Sequence, residues 1–368
     1  MTSPAYPTGL SGGELGARGF PTDWASRLTL GDLEMIRLIL RGSSIVDWPR
    51  FYFSSDDGVR RFLKVNELDL DDERDVERLW QLTRRAADYI ERTFGIALER
   101  DVVHPDRITD LFFLASSRAG DVGLQQSACM LLKVVHIINH IDARELGFLY
   151  PLSDRELFQR LEERSIAKLT RLRDRGLPIV EVSGSRKLKD SLVTKLLSKR
   201  ETLATQIFDK LRFRIVVESR DAVIPLLVGL TDEVFPFNYI VPGQSRNQIV
   251  DFGAFVRGHR SLAALGADLA EPLDSSGDPQ GRLNEFSGTT YRDLNFVVDV
   301  PIAIPDDRVN RTVSSGPQGL GRITFVLVEF QLLDATTAAA NERGDNSHDR
   351  YKARQLEQVA RRLRCIPK

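Results

Sequence analysis

From about Trp24 to Tyr150, apolar residues recur every three or four positions in LGDLEMIRLILRG, DDERDVERLWQLTRRAADYIERTFG and LQQSACMLLKVVHIINHIDARELG, each with a glycine near its end. That spacing is helical, and the glycines are stop signals. Beyond Pro151 and Leu152, Ser153 with Glu156 three residues on predicts a capping box that starts SDRELFQRLEERSIAKLTRLRDRG, a helix ending at Gly176. The period then shortens. PIVEVSG reads as a strand, RKLKDSLVTKLLSKR as a basic helix, the stretch through LRFRIVV as a strand, DAVIPLLVGLTDEVF as a helix and YRDLNFVVDVPIAI as a strand. RITFVLVEFQLLD is the most hydrophobic strand and is predicted to be central in its sheet. HDRYKARQLEQVARRLR closes the chain as a basic helix.

Helices first, then strands alternating with helices, predict an α+β protein with a mixed central β-sheet flanked by helices. The corresponding division is an all-helical N-terminal domain over 23–150 and a sheet domain over 151–368. Residues 1–22 are rich in Gly, Pro, Ser and Thr without a sustained apolar period and predict a disordered segment. The Gly/Asp/Ser-rich stretch 264–290 is too long for a turn and predicts a flexible insertion.

With 368 residues and 42% hydrophobic content, the chain can bury a large core. Its net charge of −1 gives no global attraction to nucleic acid or anionic membrane, so an anionic partner needs a local patch. The stretch 168–220, where Lys and Arg outnumber Asp and Glu, supplies one. Two cysteines far apart exclude a disulfide framework and a Cys-based zinc site. Without an apolar run of about 20 residues or a signal-like N-terminus, the expectation is a cytoplasmic protein with no membrane partner.

On a helix, Lys187, Ser191, Lys195 and Lys199 form one polar stripe beside an apolar stripe of Leu188, Leu192 and Leu196. In the next strand Arg212 and Arg214 share a face, and Asp209 stands where that strand begins. A carboxylate among fixed cations suits Mg²⁺ and a polyphosphate, whereas a solvated amphipathic helix with an ordinary edge arginine explains the same residues. Glu329 lies in the middle of the most apolar strand, where an ionised group needs a partner. A salt bridge to Arg212 or Arg214 is one solution; a metal shared with Asp209, with Glu329 also accepting a proton, is the other. His136 and His140, one turn apart and followed by Asp142, have metal-ligand spacing, but VVHIINHI around them favours histidines in core or helix contacts.

The order of motifs resembles the synthetase domain of the RelA/SpoT family, the (p)ppGpp synthetases. Lys187, Ser191 and Lys195 match a Lys, Ser, Lys series at four-residue spacing, and DKLRFRI matches D-L-L-G-I-R-I with Asp209 and Arg214 in register. PGQSRNQI resembles P-G-R-F-K-D-Y-I with Arg246 at the Lys, and TTYRDLN resembles N-G-Y-x-S-L-H with Tyr291 at the Tyr and Asn295 at the His. VEFQLL resembles V-E-I-Q-I-R, giving Glu329 and Gln331 but Leu333 for the Arg, and AANERGDNSHDRYK resembles the A-E…H-x-x-Y-K ending. The similarity spans roughly residues 180–352.

The resemblance implies a nucleotidyltransferase-type fold and transfer of pyrophosphate from ATP to the 3′-hydroxyl of a guanosine nucleotide, with Mg²⁺ on Asp209 and Glu329. Lys187, Ser191, Lys195 and Arg214 would bind the ATP phosphates, and Arg246, Tyr291, Asn295 and Gln331 the acceptor. The altered acceptor side leaves open another acceptor such as tRNA, or a catalytically inactive nucleotide-binding or interaction module. Tyr291 is equally placed to be a strand-end aromatic of the core. A third reading moves a nucleotidyl group instead of pyrophosphate.

Overall fold

Capping chemistry sets where the helices begin. The structure, a computed structural model, describes residues 24–43, 53, 55–116, 120–149, 153–198, 210–269, 290–304, 319–343 and 348–363. Asp209, Lys199, the first 23 residues and most of the predicted insertion lie outside the described residues. In α1 (Leu30–Arg41) the Thr29 side chain accepts from the Asp32 backbone while the Asp32 carboxylate accepts from the Thr29 backbone. Gly42 ends it at φ 63°, and a Cβ there would stand 3.0 Å from Cβ of Ser245, so glycine answers both demands. Then follow α2 (Asp56–Val65), α3 (Glu73–Phe94), α4 (Arg100–Val103), α5 (Asp110–Ser116) and α6 (Val122–Leu149). The Ser153 cap holds, its hydroxyl accepting from the Glu156 backbone at 3.2 Å to open α7 (Asp154–Asp174).

The remaining elements are β1 (Ile179–Arg186), α8 (Lys189–Ser198), β2 (Leu211–Val217), α9 (Val223–Glu233) and β3 (Arg246–Asn247). They continue through α10 (Phe252–Gly258), α11 (Arg260–Gly266), β4 (Leu294–Ala303), β5 (Ile323–Asp334), α12 (Ala335–Asn341) and α13 (His348–Leu363). Among the described residues five strands form one mixed sheet in the order β1-β2-β5-β4-β3. β5 is central, as its apolar sequence predicts, running parallel to β2 and antiparallel to β4. No described helix is long and apolar enough to cross a membrane.

The two faces of this sheet differ in kind. On one, Phe213, Phe330 and Phe296 lie side by side across β2, β5 and β4, with ring centroids 5.7 and 5.6 Å apart, and Phe235 caps Phe330 at 4.6 Å. α9 buries Val223, Leu226, Leu227 and Leu230 against this side, and α7 adds Leu161, Leu169 and Leu172. The same core continues through Leu33, Ile36 and Ile39 of α1, so the N-terminal helices and the sheet share one apolar interior. At Gly184 of β1 a Cβ would meet Oε1 of Glu162 at 2.7 Å, so the Glu162 side chain of α7 lies directly over this glycine.

Described helices meet the opposite face at its two ends. At one end Val216 and Leu333 form a small apolar cluster with Ala338 of α12. At the other, α6 lies against Asp299 and Phe325: His140 hydrogen-bonds Asp299 at 2.7 Å, Arg144 pairs with the same carboxylate, and the His140 and Phe325 rings meet edge to face at 4.8 Å. Asp142 ties α6 to α3 through Arg78 at 2.7 Å and through Arg85. His136, Asp142 and His140 therefore serve packing contacts, and no group of three metal-ligating side chains forms among the described residues.

His136 accepts from the Asn238 amide at 3.1 Å and packs on the Tyr239 ring at 4.5 Å. Burial, reinforced by neighbouring His140, pushes its pKa down to about 3 from an ordinary 6.5. Between those values the unfolded chain binds the proton and the fold does not, so stability falls as pH drops through that window. His136→Gln should flatten the acid side of the stability curve between about pH 6.5 and 4, measured by urea unfolding at stepped pH. An unchanged slope would show that the ring is protonated within the fold.

Candidate functional site

Between α6 and α12 the polar face of the sheet carries two rows of side chains. Strand register places Ser183, Arg214, Gln331, Asn295 and Arg246 in one row across β1, β2, β5, β4 and β3. The adjacent row is Ser185, Arg212, Glu329 and Val297. Side chains in register on neighbouring strands share a face. Arg214, Arg246, Asn295, Glu329 and Gln331, separated by up to 117 positions in the sequence, thus meet on one surface.

Glu329 is the chemical centre of this surface. Its Oε1 accepts from the Asn295 amide, while Oε2 is buried and has no hydrogen-bond partner among the described residues. Burial of an unpaired carboxylate oxygen is costly. No ion pair joins Glu329 to Arg212 or Arg214 among the described residues, so the predicted structural salt bridge is absent. Arg214 instead pairs with Glu181 at 2.8 Å and Glu342 at 3.2 Å, which places its charge in a network that a phosphate would have to share.

On the β3 side, Arg246 makes a forked ion pair with Asp293, whose carboxylate is fully buried: Nη2 reaches Oδ1 at 2.6 Å and Oδ2 at 2.7 Å, and Nε reaches Oδ1 at 2.9 Å. The Gln331 amide donates to Asp293 at 2.9 Å and to the Tyr291 hydroxyl at 2.6 Å. Asn341, at the end of α12, fixes the approach to β4 by exchanging two bonds with the Arg292 backbone, at 2.6 and 3.2 Å. Burial, followed by the nearby Asp293 charge, pushes the Tyr291 phenol up to about 12, so it remains protonated at neutral pH and is unsuited to act as a base. Neither Asp293 nor Asn341 stood out in the sequence. The only trace of Asp293 was an acidic residue just before a strand, and its buried partner comes from 47 positions away.

The basic helix begins later than its spacing predicts. Pairing of β1 with β2 runs through Arg186 opposite Leu211, and the Lys187 amide donates to the Lys210 carbonyl at 3.0 Å. This ladder competes with the first helical turn and wins, leaving Lys187 at the strand end while Ser191 and Lys195 stand on α8. Leu188 of the predicted apolar stripe is 56% exposed as a result. α13 packs along α8, with Gln355 donating to Ser198 at 3.2 Å and Arg362 to the Leu197 carbonyl at 2.6 Å. Leu333, where the resemblance calls for Arg, belongs to the apolar cluster under α12, a place that a guanidinium would disrupt.

No protein-family profile and no curated protein matches the chain. Solved structures similar to it include small alarmone synthetase 1 from Bacillus subtilis, at 18% identity over 56% of this chain and 86% of that one, with a TM-score of 0.29. The same enzyme bound to its product pppGpp matches at 18% identity over 62% and 90% with a TM-score of 0.29. A GTP pyrophosphokinase family protein from Streptococcus pneumoniae matches at 17% identity over 56% and 84%, with a TM-score of 0.30. These are distant likenesses to proteins of the type that the motif order resembles, and what the site can do follows from the chain's own residues.

Removing one member of the Arg246–Asp293 pair strands the other. Asp293→Ala and Arg246→Ala should each lower stability by about 3 kcal/mol in urea unfolding, and the double variant by less than their sum. Additive losses would show that the two groups do not interact.

Proposed function

We propose that the chain is a Mg²⁺-dependent pyrophosphotransferase that moves the terminal pyrophosphate of ATP to a hydroxyl of a nucleotide acceptor. The observation that carries this reading is Glu329: one oxygen is fixed by Asn295, and the other is buried without a partner among the described residues, on a face rich in arginine. An orphaned carboxylate oxygen suits a hard divalent ion, so Mg²⁺ fits the residue present. Asp209 and Glu329 would hold it, and when bound it supplies positive charge to the phosphate oxygens.

The protein's own groups account for the rest of the chemistry. The acceptor 3′-oxygen attacks the β-phosphorus of ATP, the bond from that phosphorus to the oxygen bridging to the α-phosphorus breaks, and AMP leaves with the electron pair. Glu329 Oε2 takes the hydroxyl proton, and Asn295 keeps the carboxylate turned toward it. Lys187, Ser191 and Lys195 would line the phosphate side, where positioning and charge provide most of the acceleration, whereas Arg214 is held by Glu181 and Glu342. Tyr291, steadied by Gln331, presents its ring to the acceptor base, a guanosine nucleotide being the leading candidate and a tRNA end the second.

A second reading, a nucleotide-binding module without turnover, is favoured by a specific observation: Arg246 and Arg214 are both matched by internal carboxylates. Incubation with Mg²⁺, ATP labelled separately in its α- or γ-phosphate, and GDP, GTP or tRNA separates these readings. Transfer of γ-label to a nucleotide is expected, with at least a hundredfold loss in Glu329→Gln and Asp209→Asn at unchanged melting temperature. Binding without transfer supports the module, α-label transfer supports nucleotidyl chemistry, and full activity in either variant removes the proposed mechanism.

A further inference from the structure

Three described arginines project from the polar face of the sheet near Glu329, and two are already neutralised. Arg246 is clamped by Asp293, and Arg214 is shared between Glu181 and Glu342. Arg212 is the exception. It stands in register with Glu329 on one side and Ser185 on the other, half-buried, and no ion pair or hydrogen bond joins it to another described residue. Its neighbour Glu329 does not satisfy it, because that carboxylate is turned to Asn295 on the opposite strand. The Arg212 charge nevertheless reaches the Tyr291 phenol, where it opposes the upward pull of burial. Strand register places Arg212 directly beside Glu329, at the centre of the polar face.

A half-buried guanidinium without an anion is unfavourable in the free protein and becomes favourable when a ligand supplies one. Its planar fork matches two oxygens of a phosphate group. β2 positions it: Leu211 and Phe213, either side in sequence, are fully buried in the opposite face, so the strand cannot rotate the arginine away.

We propose that Arg212, and not the internally paired Arg214, is the arginine that grips the triphosphate of the donor nucleotide beside Glu329. This rests on the reading of the site as a pyrophosphotransferase centre. Arg212 holds the phosphate chain at the end of the row nearest the β1–β2 edge, where the Lys187 amide donates to the Lys210 carbonyl. Arg214 holds β1 and the end of α12 together through its two carboxylates.

The test is equilibrium binding of a fluorescent ATP analogue with Mg²⁺ to the full-length chain, with inorganic tripolyphosphate as competitor and a fluorescent GDP analogue as a second probe. Arg212→Gln, which keeps length and removes charge, should weaken both ATP and tripolyphosphate about tenfold to a hundredfold, with GDP binding held within twofold. Arg212→Lys should recover part of that loss, because charge returns without the fork. Arg214→Gln should bind ATP within threefold of the native chain and unfold at lower urea. Urea midpoints of the Arg212 variants control for folding. ATP affinity within twofold of native in Arg212→Gln, or a loss confined to GDP, overturns the assignment while leaving the pyrophosphotransferase reading standing. A native chain that binds neither nucleotide overturns both.

Discussion

The aromatic ladder of Phe213, Phe330 and Phe296 is the constraint on which the remainder of the molecule depends. Its rings lie on three neighbouring strands, are almost completely buried, and fix the mutual register of β2, β5 and β4. Because side chains alternate, each buried ring forces its chain neighbours onto the other surface: Arg212 and Arg214 flank Phe213, Glu329 and Gln331 flank Phe330, and Asn295 and Val297 flank Phe296. A slip of one residue in any of these strands would bury charge and expose phenyl rings together. The polar surface is thus specified by the apolar one behind it.

Electrostatics on that surface is divided. The β3 side is internally balanced, since Asp293 absorbs the Arg246 charge and holds Gln331, which in turn steadies Tyr291. Such a network is rigid because a fully buried carboxylate has no water to fall back on. Toward the β1 side the balance changes, with Glu329 and Arg212 adjacent in register yet not joined to each other. Arg212 and Oε2 of Glu329 have no partner among the described residues, whereas Arg246, Asp293 and Gln331 near β3 have been committed by folding. Binding energy is more readily drawn from the uncommitted half.

Much of this was legible in the chain. Period-two alternation gave the sides of β2 and β5, the apolar run gave the central place of β5, and Ser153, Gly42 and Gly95 gave helix boundaries, whereas α6 runs through the expected stop at Gly147. What local pattern could not supply was the identity of partners across the sheet. Arg214 looked available because Glu181 and Glu342 are 33 and 128 positions away, and Asp293 passed unnoticed because its role exists only once β3 lies against β4. Lys187 was misread for a different reason: four-residue spacing suits a helix, but the β1–β2 ladder offers its backbone a partner first. Leu333, a departure from the resembled pattern, became intelligible only with α12 folded over it.

The contact between α13 and α8 has a further consequence. Gln355 and Arg362 hold the last turn of the short lysine-bearing helix, binding its Ser198 hydroxyl and Leu197 carbonyl, so the C-terminal segment acts as a brace from outside the sheet. Four of the ten residues of that helix, Val193 among them, are exposed, and Leu188 just before it is 56% exposed, so they contribute little burial to anchor it. Anything that lifts the brace, whether a fused tag, a proteolytic nick or a molecule competing for the same side of α8, would loosen Lys195 without touching Glu329, Arg212 or Asn295 on the sheet.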